Sequence, residues 1–232
     1  MNSMNKLLYI GLFFLSFLQL SCEDSGEMLD KYLKDGPITY AGKIESMNIQ
    51  SGYYRVRLNV YPAADVNRSH CMISWNISTG VKDSVKMDYV AANYDEKAAC
   101  YYTLITVPEI EGNLLLEAIN VDKFGNKSLL TNVGAFIYGK TYTSTLQNSS
   151  LSFSAKKDEI IFEDRVGSVG NLVSYEQNSG KFTDEVIVRS SRFPLVDAKK
   201  GGIIRTKTRY LMTATDIDTL LTGSYLETRI PE

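Results

Sequence analysis

Three cysteines, one histidine and one tryptophan bound the chemistry open to this 232-residue sequence. A single imidazole, His70, excludes any centre built on two histidines, and with it most zinc hydrolysis. Ser69 precedes His70, but adjacency along the chain is not triad geometry, and no nucleophile elbow is present. Carboxylates are plentiful, among them Glu111, Asp122, Asp158, Glu159, Asp216 and Asp218. Glycoside cleavage needs two of them roughly 5–10 Å apart across a cleft, a distance that no spacing along the chain specifies. Asp122 and Asn126 offer oxygens to calcium without a full ligand loop around them. A net charge of −2 leaves no bulk positive field for nucleic acid. These residues predict a non-enzyme with no catalytic residue, no metal, no cofactor and no nucleic-acid partner.

Cys22 stands apart from the other two cysteines. Lys6 precedes an apolar run, Leu7–Leu20, that would span about 21 Å as a helix. That is short of the roughly 30 Å of a bilayer core and fits an export leader better than a membrane helix. Leu18-Gln19-Leu20-Ser21-Cys22 resembles a bacterial lipobox, with leucine four places before the cysteine where three is usual. The expectation is a signal peptide over 1–21, a lipidated Cys22, and an acidic tether over 22–36 that opens Glu23-Asp24-Ser25-Gly26-Glu27. The alternative is an ordinary leader with a chance cysteine. Acyl chains contribute about 0.8 kcal/mol per buried CH₂, so a multiply acylated Cys22 would hold the chain on a membrane. The acidic run also looks like a surface-export signal of Bacteroidota lipoproteins; a plain tether accounts for it equally well.

Cys71 and Cys100 would then lie in an oxidising compartment, where a pair tends to bridge. They are a candidate disulfide whose loop of about 30 residues would stabilise by roughly 3 kcal/mol. The alternative is two buried, unreactive thiols.

These residues must be positioned by strands. Past residue 22 no helical stripe exceeds about ten residues, and short runs alternate with period two between Gly, Asn, Asp and Pro. Tyr54–Val60 (YRVRLNV) is the clearest, with Tyr54, Val56, Leu58 and Val60 on one face and Arg55, Arg57 and Asn59 on the other. Further strands are expected at Ile38–Tyr40 with Ile44–Ile49, Cys71–Ile77, Ser84–Tyr89, Tyr101–Val107, Leu114–Val121 and Val133–Tyr138. Gly125-Asn126 supplies positive φ for the turn between the last two. Such spacing predicts an antiparallel sandwich. After a joint at Gly139–Thr143 the pattern resumes through Leu151–Ser154, Glu159–Glu163, Leu172–Glu176, Glu185–Arg189, Ile203–Leu211 and Asp218–Tyr225. The chain therefore reads as all-β, two tandem antiparallel β-sandwiches over 37–139 and 140–232.

On this frame Trp75 shares a face with Cys71 and Ile73 and is expected in the core, with a sugar-stacking platform as the sharper alternative. Tyr53, Arg55, Arg57 and Tyr61 form a strip that could stack on and hydrogen-bond a sugar; an ordinary solvated strand face is the plainer reading. Arg205, Lys207 and Arg209 form a second strip, suited to an acidic glycan or a protein partner, or to guarding an edge strand.

Several segments resemble one family. Asp35-Gly36-Pro37-Ile38-Thr39-Tyr40-Ala41-Gly42-Lys43-Ile44 is similar to the opening of a Bacteroidota outer-membrane lipoprotein family of unknown function. Trp75, Asp122…Gly125-Asn126…Ser128 and Tyr138-Gly139…Tyr142…Leu146 match it. So do Tyr175…Gly180, Leu195…Asp197, Arg205-Thr206 and Asp216-Ile217-Asp218. The resemblance covers most of residues 30–225 and implies tandem fibronectin type III-like (immunoglobulin-like) sandwiches. It also implies a place on the outer membrane, lipid-anchored at the cell surface or on the periplasmic face. Members are associated with polysaccharide capture, which makes a glycan the implied ligand class. The alternative is an interaction or structural subunit that docks an envelope protein partner. Asp83-Ser84-Val85 and Asp218-Thr219-Leu220 look like the Bacteroidota O-glycosylation motif.

Overall fold

Val56, Leu58 and Val60 alternate with Arg55 and Arg57, and the alternation decides how the first sheet sits: all three aliphatic side chains are fully buried. The computed structural model describes residues 39–108 and 110–232. The expected signal peptide, Cys22, the expected tether and the start of the expected Ile38–Tyr40 strand lie outside the described residues; Thr39 and Tyr40 belong to no strand.

The first set of strands is β1 (Ile44–Ser51), β2 (Arg55–Pro62), β3 (Arg68–Ser78), β4 (Val81–Asp88), β5 (Tyr94–Asp95), β6 (Cys100–Thr106), β7 (Gly112–Asp122) and β8 (Thr131–Ile137). They form two antiparallel sheets, β1-β2-β6-β5 and β4-β3-β7-β8. Val56, Leu58 and Val60 pack in one core with Ile73, Trp75 and Leu116 from the other sheet. Trp75 is 4% exposed, so the core reading holds and no ring face is left for a sugar.

The second set is β9 (Leu151–Phe153), β10 (Glu159–Phe162), β11 (Ser168–Tyr175), β12 (Val186–Val188), β13 (Arg192–Pro194), β14 (Ile203–Tyr210), β15 (Leu220–Leu221) and β16 (Leu226–Arg229). One sheet runs β13-β10-β9, the other β12-β11-β14 with β15 and β16 both against β14. Ile160, Val173, Tyr175 and Ile204 anchor its core. In both sets the first, second and penultimate-hairpin strands pair on one side and the remaining strands on the other. This is the fibronectin type III arrangement, and no ladder pairs a strand of one set with a strand of the other. A short helix, α1 (Lys140–Thr145), joins the two modules. Ala41–Glu232 packs as one compact unit.

Several expectations need correction. β2 begins at Arg55; Tyr54 has φ +52, so its side chain does not continue the inner row. Asn59 is buried rather than solvated, donating from Nδ2 to Asn48 Oδ1 at 2.8 Å and accepting from Arg57 Nε at 3.0 Å. Of the last predicted strand, Asp218–Tyr225, only Leu220–Leu221 (β15) is strand, and β16 begins just beyond it at Leu226. Thr222-Gly223-Ser224 leaves the ladder, and the Gly223 amide donates to Thr143 O on α1 at 3.1 Å.

Cys71 and Cys100 are free, buried thiols, so the candidate bridge does not form. Cys71 lies on β3 in one sheet and Cys100 on β6 in the other, and facing sheets stand about 10 Å apart, beyond disulfide reach unless their ends pinch. Burial pushes the Cys71 thiol up to about 12, with the Tyr89 hydroxyl as its polar neighbour.

Asp122 does not present its carboxylate to a cation. Oδ1 accepts from the amides of Phe124 (2.8 Å) and Asn126 (2.9 Å), and Oδ2 accepts from Asn126 Nδ2 (2.8 Å). Gly125 takes φ +85 inside this turn, as its sequence predicts. Burial alone would raise the Asp122 carboxyl, and the donors of Asn126, Phe124 and Gly125 outweigh it, so it sits below its ordinary value.

Candidate functional site

Each member of the first predicted strip already has an internal partner. Arg55 pairs with Asp218 through two hydrogen bonds, its Nε donating to Oδ2 at 2.8 Å. Arg57 pairs with Asp95 and lies 4.1 Å over the Tyr102 ring. Tyr61 accepts from Asn48 Nδ2 at 3.3 Å. Tyr53 stacks edge-on against Tyr54 at 4.8 Å and keeps 43% of its surface exposed. The strip therefore does not act as one platform: Tyr53 alone keeps a large exposed aromatic surface where the modules meet.

The second strip does share a face, as its period predicts: Arg205, Lys207 and Arg209 point outward from β14 while Ile204, Thr206, Thr208 and Tyr210 are buried. It is not an edge, because β14 is flanked by β11 on one side and by β15 and β16 on the other. Arg205 Nε donates to Glu227 at 2.9 Å and its guanidinium lies 4.4 Å over Phe182. Arg209 donates to Thr219 Oγ1 at 2.8 Å, which engages the threonine of the second O-glycosylation-like motif. Lys207 Nζ stands 4.5 Å over the Tyr225 ring.

Asp216-Ile217-Asp218, the last motif of the sequence, turns out to be the joint between the modules. Asp218 Oδ2 accepts from the Tyr53 amide at 3.0 Å as well as from Arg55. The Ile217 amide donates to Ser51 O at 2.9 Å. Burial pushes the Tyr138 hydroxyl up to about 12, and the nearby Asp216 charge adds to the rise. Gly52 is required here by close approach, since a Cβ on it would stand 2.5 Å from Asp218 Oδ2 and 2.7 Å from Ile217. Tyr138, Tyr210 and Leu220 form a buried cluster behind this latch, with Tyr142, Leu146 and Met212 packed on it. The Glu111 carboxylate accepts from the amides of Thr141 (2.9 Å) and Tyr142 (3.3 Å) and so caps α1 in place of a local side chain. The hydrogen bonds of Arg55 hold the Asp218 carboxyl below its ordinary value; the Tyr53 amide adds to them and burial opposes them.

The latch leaves a cleft of about 910 Å³ between the modules. Tyr53, Arg55 and Thr106 line it from the first module and Lys140, Thr143 and Ser144 from α1. Lys207 and the stretch 218–224, which contains the break between β15 and β16, close the third side. Its wall is hydroxyl-rich, with one half-exposed aromatic ring and one carboxylate that is already paired. His70 lies elsewhere, its Nδ1 3.1 Å from Ser69 Oγ, and is not among the lining residues. Among the described residues no group of three or more His, Cys, Asp or Glu side chains could hold a metal ion. No described helix is long and apolar enough to cross a membrane.

Fold and cleft together define a tandem β-sandwich protein with a cleft at its joint. The family is known as well: residues 22–220 match DUF4998, a domain of unknown function, and the chain belongs to that family. No curated protein matches the chain. Similar solved structures include a family 76 glycoside hydrolase from a bovine Bacteroides thetaiotaomicron strain, at 12% identity and TM-score 0.36, with 44% of this chain and 22% of that chain covered. The FN1–FN3 domains of chicken CNTN1 are similar at 8% identity and TM-score 0.36, over 83% of this chain and 69% of that one. A two-domain fibronectin type III segment of chicken tenascin is similar at 13% identity and TM-score 0.34, over 80% and 99%.

Proposed function

We propose that this chain is a non-catalytic, lipid-anchored accessory of a bacterial cell-envelope polysaccharide-capture system, and that it holds a glycan in the cleft between its modules. The observation that supports this reading most is the cleft wall. Tyr53 presents an amphipathic ring, and Thr106, Ser144 and Ser224 present small hydroxyls suited to pyranose faces and edges. A glycosidase reading would need two working carboxylates, and the cleft lining has Asp218 only, bound to Arg55. Attachment rests on the lipobox-like segment ending at Cys22, and the outer-membrane, Bacteroidota assignment rests on the sequence resemblance.

Binding is tested with the full chain in mild detergent on a glycan array and in affinity gels. Tyr53→Ala removes the ring but keeps the amide that Asp218 accepts, so the joint survives. Loss of an aromatic anchor of this kind costs about 2 kcal/mol or more, roughly thirtyfold in affinity. Polysaccharide turnover, or co-purification of one envelope protein with no glycan bound, overturns the reading in favour of an enzyme or a docking subunit. Anchoring is tested separately by palmitate labelling: the wild-type chain takes up label and Cys22→Ala does not. Equal labelling, or none in either, removes the anchor.

A further inference from the structure

The charges around the cleft do not balance. Asp218 is committed to Arg55 and to the Tyr53 amide. The neighbouring acids are committed as well: Glu111 caps α1, Glu185 accepts from the Tyr225 hydroxyl, and Glu227 accepts from Arg205. Two cations on the wall, Lys140 and Lys207, have no carboxylate oxygen within salt-bridge distance among the described residues. They come from different elements, the first residue of α1 and the middle of β14, so the cleft sets them on separate sides of one volume. Lys207 is also held in place, half-buried with Nζ over the Tyr225 ring, which lowers the ordering cost of using it.

We propose that the cleft selects an anionic saccharide, whose carboxylate or sulfate groups meet Lys140 and Lys207 while its rings lie against Tyr53 and its hydroxyls against Thr106 and Ser224. This rests on the glycan reading above and adds the charge of the ligand to it. A volume of about 910 Å³ is of the size that takes a short oligosaccharide segment. Two ammonium groups with no carboxylate partner among the described residues, one of them half-buried, favour such a segment over a neutral one.

The test compares four polymers against the full chain in detergent: polygalacturonate and chondroitin sulfate as acidic probes, fully methyl-esterified pectin and dextran as neutral ones. The acidic polymers are expected to bind at least about tenfold tighter, and to weaken steeply as salt rises. Lys140→Gln and Lys207→Gln are each expected to weaken acidic binding about tenfold and neutral binding by much less. Lys140 is exposed and has no packing role, so Lys140→Gln carries the test even if Lys207→Gln disturbs Tyr225. Equal binding of acidic and neutral polymers, or acidic binding that survives the double substitution, overturns the anionic assignment and leaves glycan binding standing. Binding of none of the four overturns both.

Discussion

Replacing Trp75 with alanine is expected to destabilise the first module by about 3–5 kcal/mol, the range for emptying a large aromatic site in a packed core. Trp75 sits on β3 between Asp83 of β4 and Leu116 of β7, and its side chain lies in the cluster with Val56, Leu58 and Ile73. Small domains hold only about 5–15 kcal/mol in total, so the variant retains little margin. At roughly 4–8 °C per kcal/mol for a module of this size, its melting temperature should fall by more than about 12 °C, read by far-UV circular dichroism. Trp75→Phe, which keeps most of the volume, should lose less than half as much. A melting temperature within a few degrees of wild type for the alanine variant would show that the core does not close on this ring.

Replacing Asp218 with alanine is expected to uncouple the two modules. Its carboxylate accepts from Arg55 and from the Tyr53 amide across the joint, and hydrogen bonds to a charged group contribute about 1.5–3 kcal/mol. Arg55 is itself 44% exposed and can return to water, which keeps the loss toward the lower end of that range. The chain has one tryptophan, Trp75, in the first module, so its fluorescence reports that module alone while circular dichroism reports both. In the wild type the two signals should melt together. In Asp218→Ala they should separate, because the latch that makes the unfolding cooperative is gone. Coincident melting curves in the variant would mean that the buried Tyr138–Tyr210–Leu220 cluster holds the modules without the latch.

The same latch is sensitive to acid. Arg55 first, and the Tyr53 amide after it, lower the Asp218 carboxyl from its ordinary 3.8 in the folded chain. A depressed folded value means that the contribution is fully present above the unfolded value, near pH 4, and is lost as pH falls through the folded one. As pH falls below the ordinary carboxylate value, the wild type should come to melt like Asp218→Ala, whose already separate transitions should depend less on pH.

Much of this architecture was legible from period and turn chemistry alone. The faces of β14 are an example: Arg205, Lys207 and Arg209 outward, Ile204, Thr206 and Thr208 inward. A strand's alternation is set by its own backbone, so neighbours i and i+2 reveal it without any partner. The inward row of β2 and the turn at Gly125 were readable for the same reason. The sandwich class follows from many such short runs in series.

What the residues do to one another was not readable in that way. Arg55 read as one of four residues on a solvated strand face that could meet a sugar, and is instead the partner of Asp218, 163 positions along the chain. Arg57 looked like its companion and is taken by Asp95 and Tyr102. Cys71 and Cys100 looked like a pair and are held on opposite sheets. Sequence by itself determined which side chains face in or out of each strand, because that periodicity is local. Only the tertiary structure decided which outward charges are neutralised, where the last predicted strand leaves its ladder beside α1, and that Lys140 and Lys207 share a cleft without a carboxylate partner among the described residues, because those outcomes depend on how the two sandwiches meet.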